Sequence, residues 1–197
     1  MDAKQRITIS KYLSKHLRHE PERLGLTLAE GGWVEVAELL AACARNQFPI
    51  TRELLDEVVT TSDKQRFAFD ATGTRIRANQ GHSTPVDLQL EPRTPPPELF
   101  HGTPQQNVAA ILSEGLRRMA RHHVHLSPDI ETARKVGARR GKPAIFRIDA
   151  AAMLTAGHVF YCSDNGVWLV NEVPSRYLSL ATQSARDVRR VEPHGRD

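Results

Sequence analysis

Residues 66–77 read Arg-Phe-Ala-Phe-Asp-Ala-Thr-Gly-Thr-Arg-Ile-Arg, and this stretch decides the fold of the first half of the chain. Two short runs flank turn-forming residues at 70–73, which predicts a β-hairpin. Three helices are predicted before it, because apolar residues recur there with helical spacing: Ile9, Tyr12, Leu13, His16 and Leu17; Val36, Leu39, Leu40 and Cys43; Leu54, Leu55, Val58 and Val59. Three helices and a hairpin are typical of a winged-helix module, a frequent nucleic-acid binder, although similar small domains also bind proteins.

A proline-rich stretch at residues 91–98, Glu-Pro-Arg-Thr-Pro-Pro-Pro-Glu, divides the sequence. Prolines this dense do not fit inside a helix or a central strand, so we expect a semi-rigid linker. The prediction is therefore two lobes, at residues 1–90 and 99–181. The polar residues 182–197 are predicted to be a disordered tail.

The second lobe is predicted to combine short strands with helices. Strands are expected at 99–103, 123–126, 144–148, 159–161 and 167–170. A helix is expected to start at Pro104, to bury Val108, Ile111 and Leu112, and to end near Gly115. The predicted fold class is α+β.

Positive charge is concentrated in one part of this lobe. Residues 117–147 contain nine Lys or Arg and only two acids, Asp129 and Glu131. Seven of the nine are arginines, whose planar guanidinium matches phosphate oxygens. The window is interpreted either as a solvated basic face or as a surface for phosphate-bearing partners.

The remaining bulk features predict a cytoplasmic protein. Its two cysteines, Cys43 and Cys162, are far apart, which fits a reducing compartment better than a disulfide framework. No apolar run approaches the ~18 residues of a membrane span, and the N-terminus has no signal-peptide core. We expect a monomer that does not bind membranes.

The run Arg121-His122-His123-Val124-His125-Leu126-Ser127 carries the strongest chemical signal. His123 and His125 share one face of the predicted strand, so a metal site is geometrically possible. It is disfavoured, because the run contains no cysteine or carboxylate and the chain has no paired-cysteine or His-Glu-x-x-His motif. An arginine with several histidines suits anions and sugar hydroxyls better. The chain also lacks a Gly-x-Ser-x-Gly elbow, a P-loop and a Gly-x-Gly-x-x-Gly motif.

His101-Gly102-Thr103 forms a second candidate binding motif. Gly102 would let a ligand approach the backbone closely, and His101 and Thr103 could hydrogen-bond a ribose, as could Ser127. Alone the motif is weak, since a histidine at a strand end is more often structural.

Together these motifs resemble the NAD-dependent tRNA 2′-phosphotransferases over nearly the whole chain. The matching segments occur in the order of that family: Leu17-Arg18-His19, Lys64-Gln65-Arg66-Phe67-Ala68, Ile76-Arg77-Ala78-Asn79-Gln80-Gly81-His82-Ser83, His101-Gly102-Thr103, Arg121, His123-Val124-His125-Leu126-Ser127, Gly137-Ala138-Arg139 and Asn165-Gly166-Val167. The octet at 76–83 is highly specific by itself.

The resemblance implies a winged-helix RNA lobe, an ADP-ribosyltransferase-like lobe that binds NAD as co-substrate, and no metal. In this family an RNA 2′-phosphate attacks NAD, giving nicotinamide and an RNA-2′-phospho-ADP-ribose intermediate. A second step yields 2′-OH RNA and ADP-ribose 1″,2″-cyclic phosphate. The implied catalytic residues are Arg18, His19, Arg66 and Arg121. The expected NAD-binding residues are His101, Gly102, Thr103, His125, Leu126, Ser127 and Arg139.

The implied roles agree with elementary chemistry. A phosphate nucleophile is already anionic, so the first step needs positioning by arginines rather than a strong base. In the second step the arginines would stabilise charge on the phosphate, and His19 would protonate the departing O2′ or hold that charge as imidazolium. Arg18 and His19 diverge by about 100° on a helix, so both can reach one phosphate only at its end.

Two other functions remain open. One is ADP-ribosylation of terminal phosphates on RNA or DNA without the second step. The other is a non-catalytic nucleic-acid-binding protein whose second lobe senses NAD. Reaction products separate the two enzymatic hypotheses, and absence of chemistry would favour the third.

Overall fold

The computed structural model describes residues 2–62 and 64–181. It is a mixed α and β structure, as predicted. The expected tail at 182–197 lies outside the described residues. Within the described part of the chain, no helix is both long and apolar enough to cross a membrane.

In the first half, the described residues form three α-helices and a small antiparallel sheet. The helices are α1 (Ala3–Arg18), α2 (Val36–Arg45) and α3 (Arg52–Thr60), and the strands are β1 (Val34–Glu35), β2 (Phe67–Phe69) and β3 (Arg75–Ala78). The sheet order is β1-β3-β2, so the predicted hairpin is confirmed and β1 is an addition. The apolar stripes of the three helices meet the inner face of β3 in one core that includes Leu13, Leu17, Leu39, Leu55 and Ile76.

The described residues of the second half, up to residue 181, form three sheets and three α-helices. Its strands are β4 (Glu98–Pro104), β5 (Leu116–Arg117), β6 (Val124–Leu126), β7 (Pro143–Asp149), β8 (Phe160–Cys162), β9 (Trp168–Val170), β10 (Glu172–Val173) and β11 (Leu178–Leu180). The helices are α4 (Val108–Glu114), α5 (Ile130–Gly137) and α6 (Ala150–Thr155). The sheet orders are β11-β7-β4, β6-β9-β8 and β10-β5, and all pairs are antiparallel. A second core includes Leu99, Leu126, Phe146, Met153 and Phe160.

Helix α5 packs on β4 through two glycines. An added Cβ at Gly102 would lie 1.7 Å from the carbonyl oxygen of Ala133, and one at Gly137 would lie 2.9 Å from the backbone nitrogen of Thr103. Only residues without side chains allow this close approach. The pair therefore sets the distance between the helix and the strand that carries His101.

The two larger sheets of the second half are joined between β4 and β6. The backbone nitrogen of Phe100 donates to the oxygen of Ser127 at 2.9 Å, and the nitrogen of Ser127 donates to the oxygen of Phe100 at 2.7 Å. This exchange places His101 beside His125. Two candidate ligand-binding histidines from separate sheets are thus held in register by backbone bonds.

Polar contacts connect the two halves of the chain. Arg77 forms an ion pair of 2.6 Å with Asp164, and the Asn165 amide donates to the backbone oxygen of Lys64 at 3.0 Å. The backbone nitrogen of His122 donates to the oxygen of His82 at 3.3 Å. The halves therefore meet along the 64–82 segment of the first and the β6 and β8–β9 region of the second.

Several predicted boundaries need correction. Pro104 is the last residue of β4, and a 3-10 turn precedes α4, because the strand pairs with β7 as far as Pro143. Leu112 was predicted to be buried but is exposed. Strand β4 begins at Glu98, inside the expected linker, and Pro92 forms a bridge with Tyr161, so that stretch is attached to the second half.

Candidate functional site

Arg18 lies where α1 ends, in the interior of the seam between the two halves. Its guanidinium donates to the backbone oxygen of Arg66 at 3.2 Å. Burial, and then the charges of Arg66 and Arg121, lower the pKa of Arg18 to about 10. Arg66 and Arg121 therefore both lie close enough for their charges to act on Arg18.

His19 is the first residue after α1 and leaves the helical path, with φ −125° and ψ −40°. This change of direction resolves the divergence expected for neighbours on a helix. Its Nδ1 lies 2.8 Å from the Ser83 hydroxyl, and the backbone nitrogens of Ser83 and Thr84 donate to the oxygen of Arg18. Desolvation, and then Arg18 and Arg121, lower the pKa of His19, while Glu20 acts in the opposite direction.

Arg66 approaches the same place from the loop before β2. Its guanidinium donates to the Ser10 hydroxyl at 3.3 Å, and its backbone oxygen accepts from the nitrogen of Asn79 at 2.9 Å. Burial and then the charge of Arg139 lower the pKa of Arg66. The side chain is thus oriented by α1 and placed near a basic turn of the second half.

Arg121 reaches the site from the second half and contacts His125 directly. The guanidinium donates to Nδ1 of His125 at 3.0 Å, because an arginine has no acceptor. Burial, and then Arg121 as the largest charge contribution, lower the pKa of His125 to about 3. The imidazole is therefore neutral at neutral pH and carries its proton on Nε2, where it can serve as a donor.

His101 has the complementary arrangement. Its Nδ1 lies 3.0 Å from the backbone oxygen of His125, so Nδ1 carries the proton and Nε2 is an acceptor. Burial lowers the pKa of His101, which keeps it neutral, although the bond to His125 acts in the opposite direction. The two adjacent rings offer one acceptor and one donor, a pair suited to neighbouring sugar hydroxyls.

The positive charge of this site has little internal compensation. Within residues 2–62 and 64–181, Glu20 is the only carboxylate that contributes to the pKa shifts of Arg18, His19, Arg66 and Arg121, and it acts on His19 alone. Glu20 already binds Lys15 at 3.2 Å and Arg23 at 2.9 Å. With so little negative charge among the described residues around it, this cationic cluster favours an anionic ligand.

The other predicted NAD-binding residues differ in what they present. Thr103 is 4% exposed, and its hydroxyl accepts from the Asn107 amide at 3.1 Å, so its oxygen is already engaged inside the protein. Gly102 faces α5 on the side where a Cβ would lie. Leu126 is buried in the core. Ser127 is half-buried and joins the sheets through its backbone.

Arg139 is exposed in the 3-10 turn Ala138–Arg140 that follows α5. Its charge lowers the pKa of Arg66 and, after desolvation, that of Arg121. It therefore lies beside the catalytic candidates, at the border between the expected RNA and NAD contacts.

Four residues that shape the site were given no role from the sequence: Ser10, Asn79, His82 and Ser83. Three of them belong to the specific octet at 76–83, so its motif character was the available signal. His82 is 1% exposed, and neither ring nitrogen has a hydrogen-bond partner. Burial and then Arg18 lower the pKa of His82 to about 3. Ser10 gave no signal, because its role depends on tertiary contact alone.

Within residues 2–62 and 64–181 there is no group of three or more His, Cys, Asp or Glu placed to hold a metal ion. A cavity of about 560 Å³, lined by Arg117, Arg118, His158, Tyr161 and Asn171 among others, includes none of the four catalytic candidates. This cavity is therefore not the site that these four residues form.

Comparisons with known proteins agree with the sequence resemblance. The profile of the family described as RNA 2′-phosphotransferase, Tpt1 / KptA family, matches residues 4–172. A probable RNA 2′-phosphotransferase of Trichormus variabilis is 63% identical over 180 residues, covering 91% of this chain and 99% of the relative. A protein of the same description from Nostoc punctiforme is 64% identical over 172 residues, covering 87% and 95%. One from Streptomyces coelicolor is 61% identical over 178 residues, covering 90% and 97%.

Proposed function

Because the chain belongs to the Tpt1 / KptA family of RNA 2′-phosphotransferases, we propose that it removes an internal 2′-phosphate from RNA by transferring it to NAD. The products would be 2′-OH RNA, ADP-ribose 1″,2″-cyclic phosphate and nicotinamide, by way of RNA-2′-phospho-ADP-ribose. Residues 1–90 would form a winged-helix RNA lobe, and residues 99–181 an ADP-ribosyltransferase-like lobe.

The observation that carries this proposal is the convergence of Arg18, Arg66 and Arg121 from both halves of the chain. Desolvation and the charges of Arg66 and Arg121 lower the pKa of Arg18, and a phosphate dianion between the three arginines would offset the charge contribution. Such a clamp would hold the phosphate in line for attack, a task that needs orientation rather than proton abstraction. The same guanidinium groups would stabilise the charge that develops on phosphorus oxygens in the second step.

The histidines of the second half fit the ribose of a dinucleotide. His101 offers an acceptor at Nε2 and His125 a donor at Nε2; the backbone oxygen of His125 holds the His101 ring, and the Arg121 guanidinium holds the His125 ring. NAD bound there supplies the electrophilic ribose carbon and nicotinamide as leaving group. Arg121 contacts His125 directly, so it would link the phosphate clamp to the NAD-binding side chains.

His19 is assigned to proton transfer in the second step. In the free protein the pKa of His19 is lowered by desolvation, Arg18 and Arg121, which opposes a role as general acid. A bound phosphate dianion would offset the two arginine charges and raise that pKa. His19 would thereby acquire its proton only when substrate is present, and the Ser83 hydroxyl would keep the ring oriented.

The central test is incubation of the protein with NAD and an oligonucleotide that bears one internal 2′-phosphate. We expect 2′-OH RNA, ADP-ribose 1″,2″-cyclic phosphate and nicotinamide, and no reaction with an oligonucleotide lacking that phosphate. Activity should persist in a chelator. Stable ADP-ribose on a terminal phosphate would instead establish the alternative enzymatic hypothesis, and the absence of any product would refute both.

The assignment of residues is tested by variants. His19→Ala and Arg66→Ala should accumulate ADP-ribosylated RNA, because their proposed contribution is largest in the second step. Arg147→Ala is a matched control, since this exposed arginine pairs with Glu98. Equal slowing of both steps by the site variants would contradict the division of roles.

A further inference from the structure

The backbone immediately before Arg66 has an unusual conformation. Gln65 has φ +38°, one of only three non-glycine residues with positive φ in the described ranges 2–62 and 64–181. Side chains disfavour this region, and it persists only where surrounding contacts impose it. Such backbone is concentrated at functional sites, and here it directs the chain into Arg66.

Two asparagine side chains hold this conformation by capping consecutive backbone carbonyls. The Asn79 amide donates to the oxygen of Gln65 at 2.7 Å, and the Asn165 amide donates to the oxygen of Lys64 at 3.0 Å. Asn79 belongs to the same half of the chain as Arg66. Asn165 comes from the other half, in the turn between β8 and β9.

The Asn165 amide is itself oriented by its own turn. The Ser163 hydroxyl lies 2.8 Å from its Oδ1, and the same hydroxyl accepts from the backbone nitrogen of Val167 at 3.2 Å. Ser163 is 3% exposed, so this arrangement is sheltered from water. With Oδ1 engaged there, the amide NH2 group faces the Lys64 carbonyl.

We propose that Asn165 is a positioning residue for Arg66, holding its loop in register with the second half of the chain. This inference rests on the proposed function, because Arg66 must be placed against a phosphate that the second half helps to bind. Arg18 and Asn79 also bind the Arg66 backbone, but both belong to its own half. Asn165 therefore fixes the position of the Arg66 loop relative to the second half, through its hydrogen bond to the Lys64 oxygen.

The adjacent residue provides a matched control. Asp164 also joins the halves, but through Arg77 in β3 and not through the Arg66 loop. Asp164 is 55% exposed at its side chain, so loss of this pair has a small effect. A variant at Asp164 disturbs the same turn and the same seam without releasing the Lys64 carbonyl.

The experiment measures the two reaction steps separately for wild type, Asn165→Ala, Asn165→Asp and Asp164→Ala. Asn165→Asp keeps the size of the side chain but removes its donor. We expect both Asn165 variants to slow the second step about fivefold, the typical effect of one lost hydrogen bond. The first step should change less than threefold, as should both steps in Asp164→Ala, so ADP-ribosylated RNA should accumulate only with the Asn165 variants.

A double-variant comparison tests whether Asn165 acts through Arg66. In the Arg66→Ala background, Asn165→Ala should have no further effect on the second step. Additive effects, or equal slowing of both steps by the Asn165 variants, would overturn this inference alone. If wild-type protein performs neither step, the proposed function fails instead. Thermal unfolding of each variant identifies any that merely fails to fold.

Discussion

Replacing Gly102 with alanine should destabilise the protein by disrupting the packing of α5 on β4, and not by removing a ligand contact. The new Cβ would lie 1.7 Å from the oxygen of Ala133 and 2.9 Å from the nitrogen of Gly137, and these are backbone atoms that no rotamer change can move. A normal carbon–oxygen contact is about 3.4 Å, so the helix must withdraw by roughly 1.7 Å. Overpacking of this kind costs about 3 kcal/mol or more.

Urea unfolding measures this cost directly. With a slope of about 2 kcal/mol/M, the midpoint of Gly102→Ala should fall by about 1.5 M. Gly25→Ala is the matched control, because Gly25 has φ +70° but no atom within 4 Å of an added Cβ, so only backbone strain is introduced. If Gly102→Ala unfolds at the wild-type urea concentration yet loses NAD-dependent activity, the glycine serves a ligand and the packing argument is wrong.

Three further predictions concern titration. The His19 pKa should rise when an oligonucleotide with a 2′-phosphate binds, measured by NMR of the imidazole, and an unphosphorylated oligonucleotide should have no such effect. Arg121→Ala should raise the pKa of His125, because the arginine charge and its hydrogen bond favour the neutral ring; an unchanged value would contradict the contact. The pKa of His82 is about 3 in the folded protein and near 6.5 in the unfolded chain. Between these two pH values the unfolded state binds more protons, so the free energy of unfolding falls as the pH falls from 6.5 to 3. Replacing His82 with leucine should reduce the slope of unfolding free energy between pH 6 and 4 by about 1.4 kcal/mol per pH unit, and an unchanged slope would refute its role.

The sequence predicted elements that follow from local periodicity. The apolar stripes of α1, α2 and α3 and the turn before β3 were confirmed, because each encodes its structure within a few residues. Pro104 was misassigned for a tertiary reason, because pairing with β7 extends β4 as far as Pro104.

Part of the candidate site could also be predicted from the sequence. Arg18, His19, Arg66 and Arg121 came from the family resemblance, and the electrostatic coupling of Arg18 with Arg66 and Arg121 is consistent with that grouping. The contact between Arg121 and His125 was not predicted, since the two were assigned to different ligands. Ser10 and Asn165 could not be assigned roles from spacing, because their partners lie 56 and 101 residues away.

Within residues 2–62 and 64–181, no carboxylate contributes to the lowered pKa values of Arg18, Arg66 and Arg121, and this bears on discrimination among the many phosphates of an RNA. Each backbone phosphodiester carries one negative charge, whereas a phosphate monoester carries nearly two above its second pKa of about 6. A carboxylate in this cluster would neutralise part of the attraction and reduce the difference between them. For the proposed substrate, such an arginine cluster would let the protein distinguish the 2′-phosphate from the neighbouring backbone phosphodiesters by charge. It would not need to read any base.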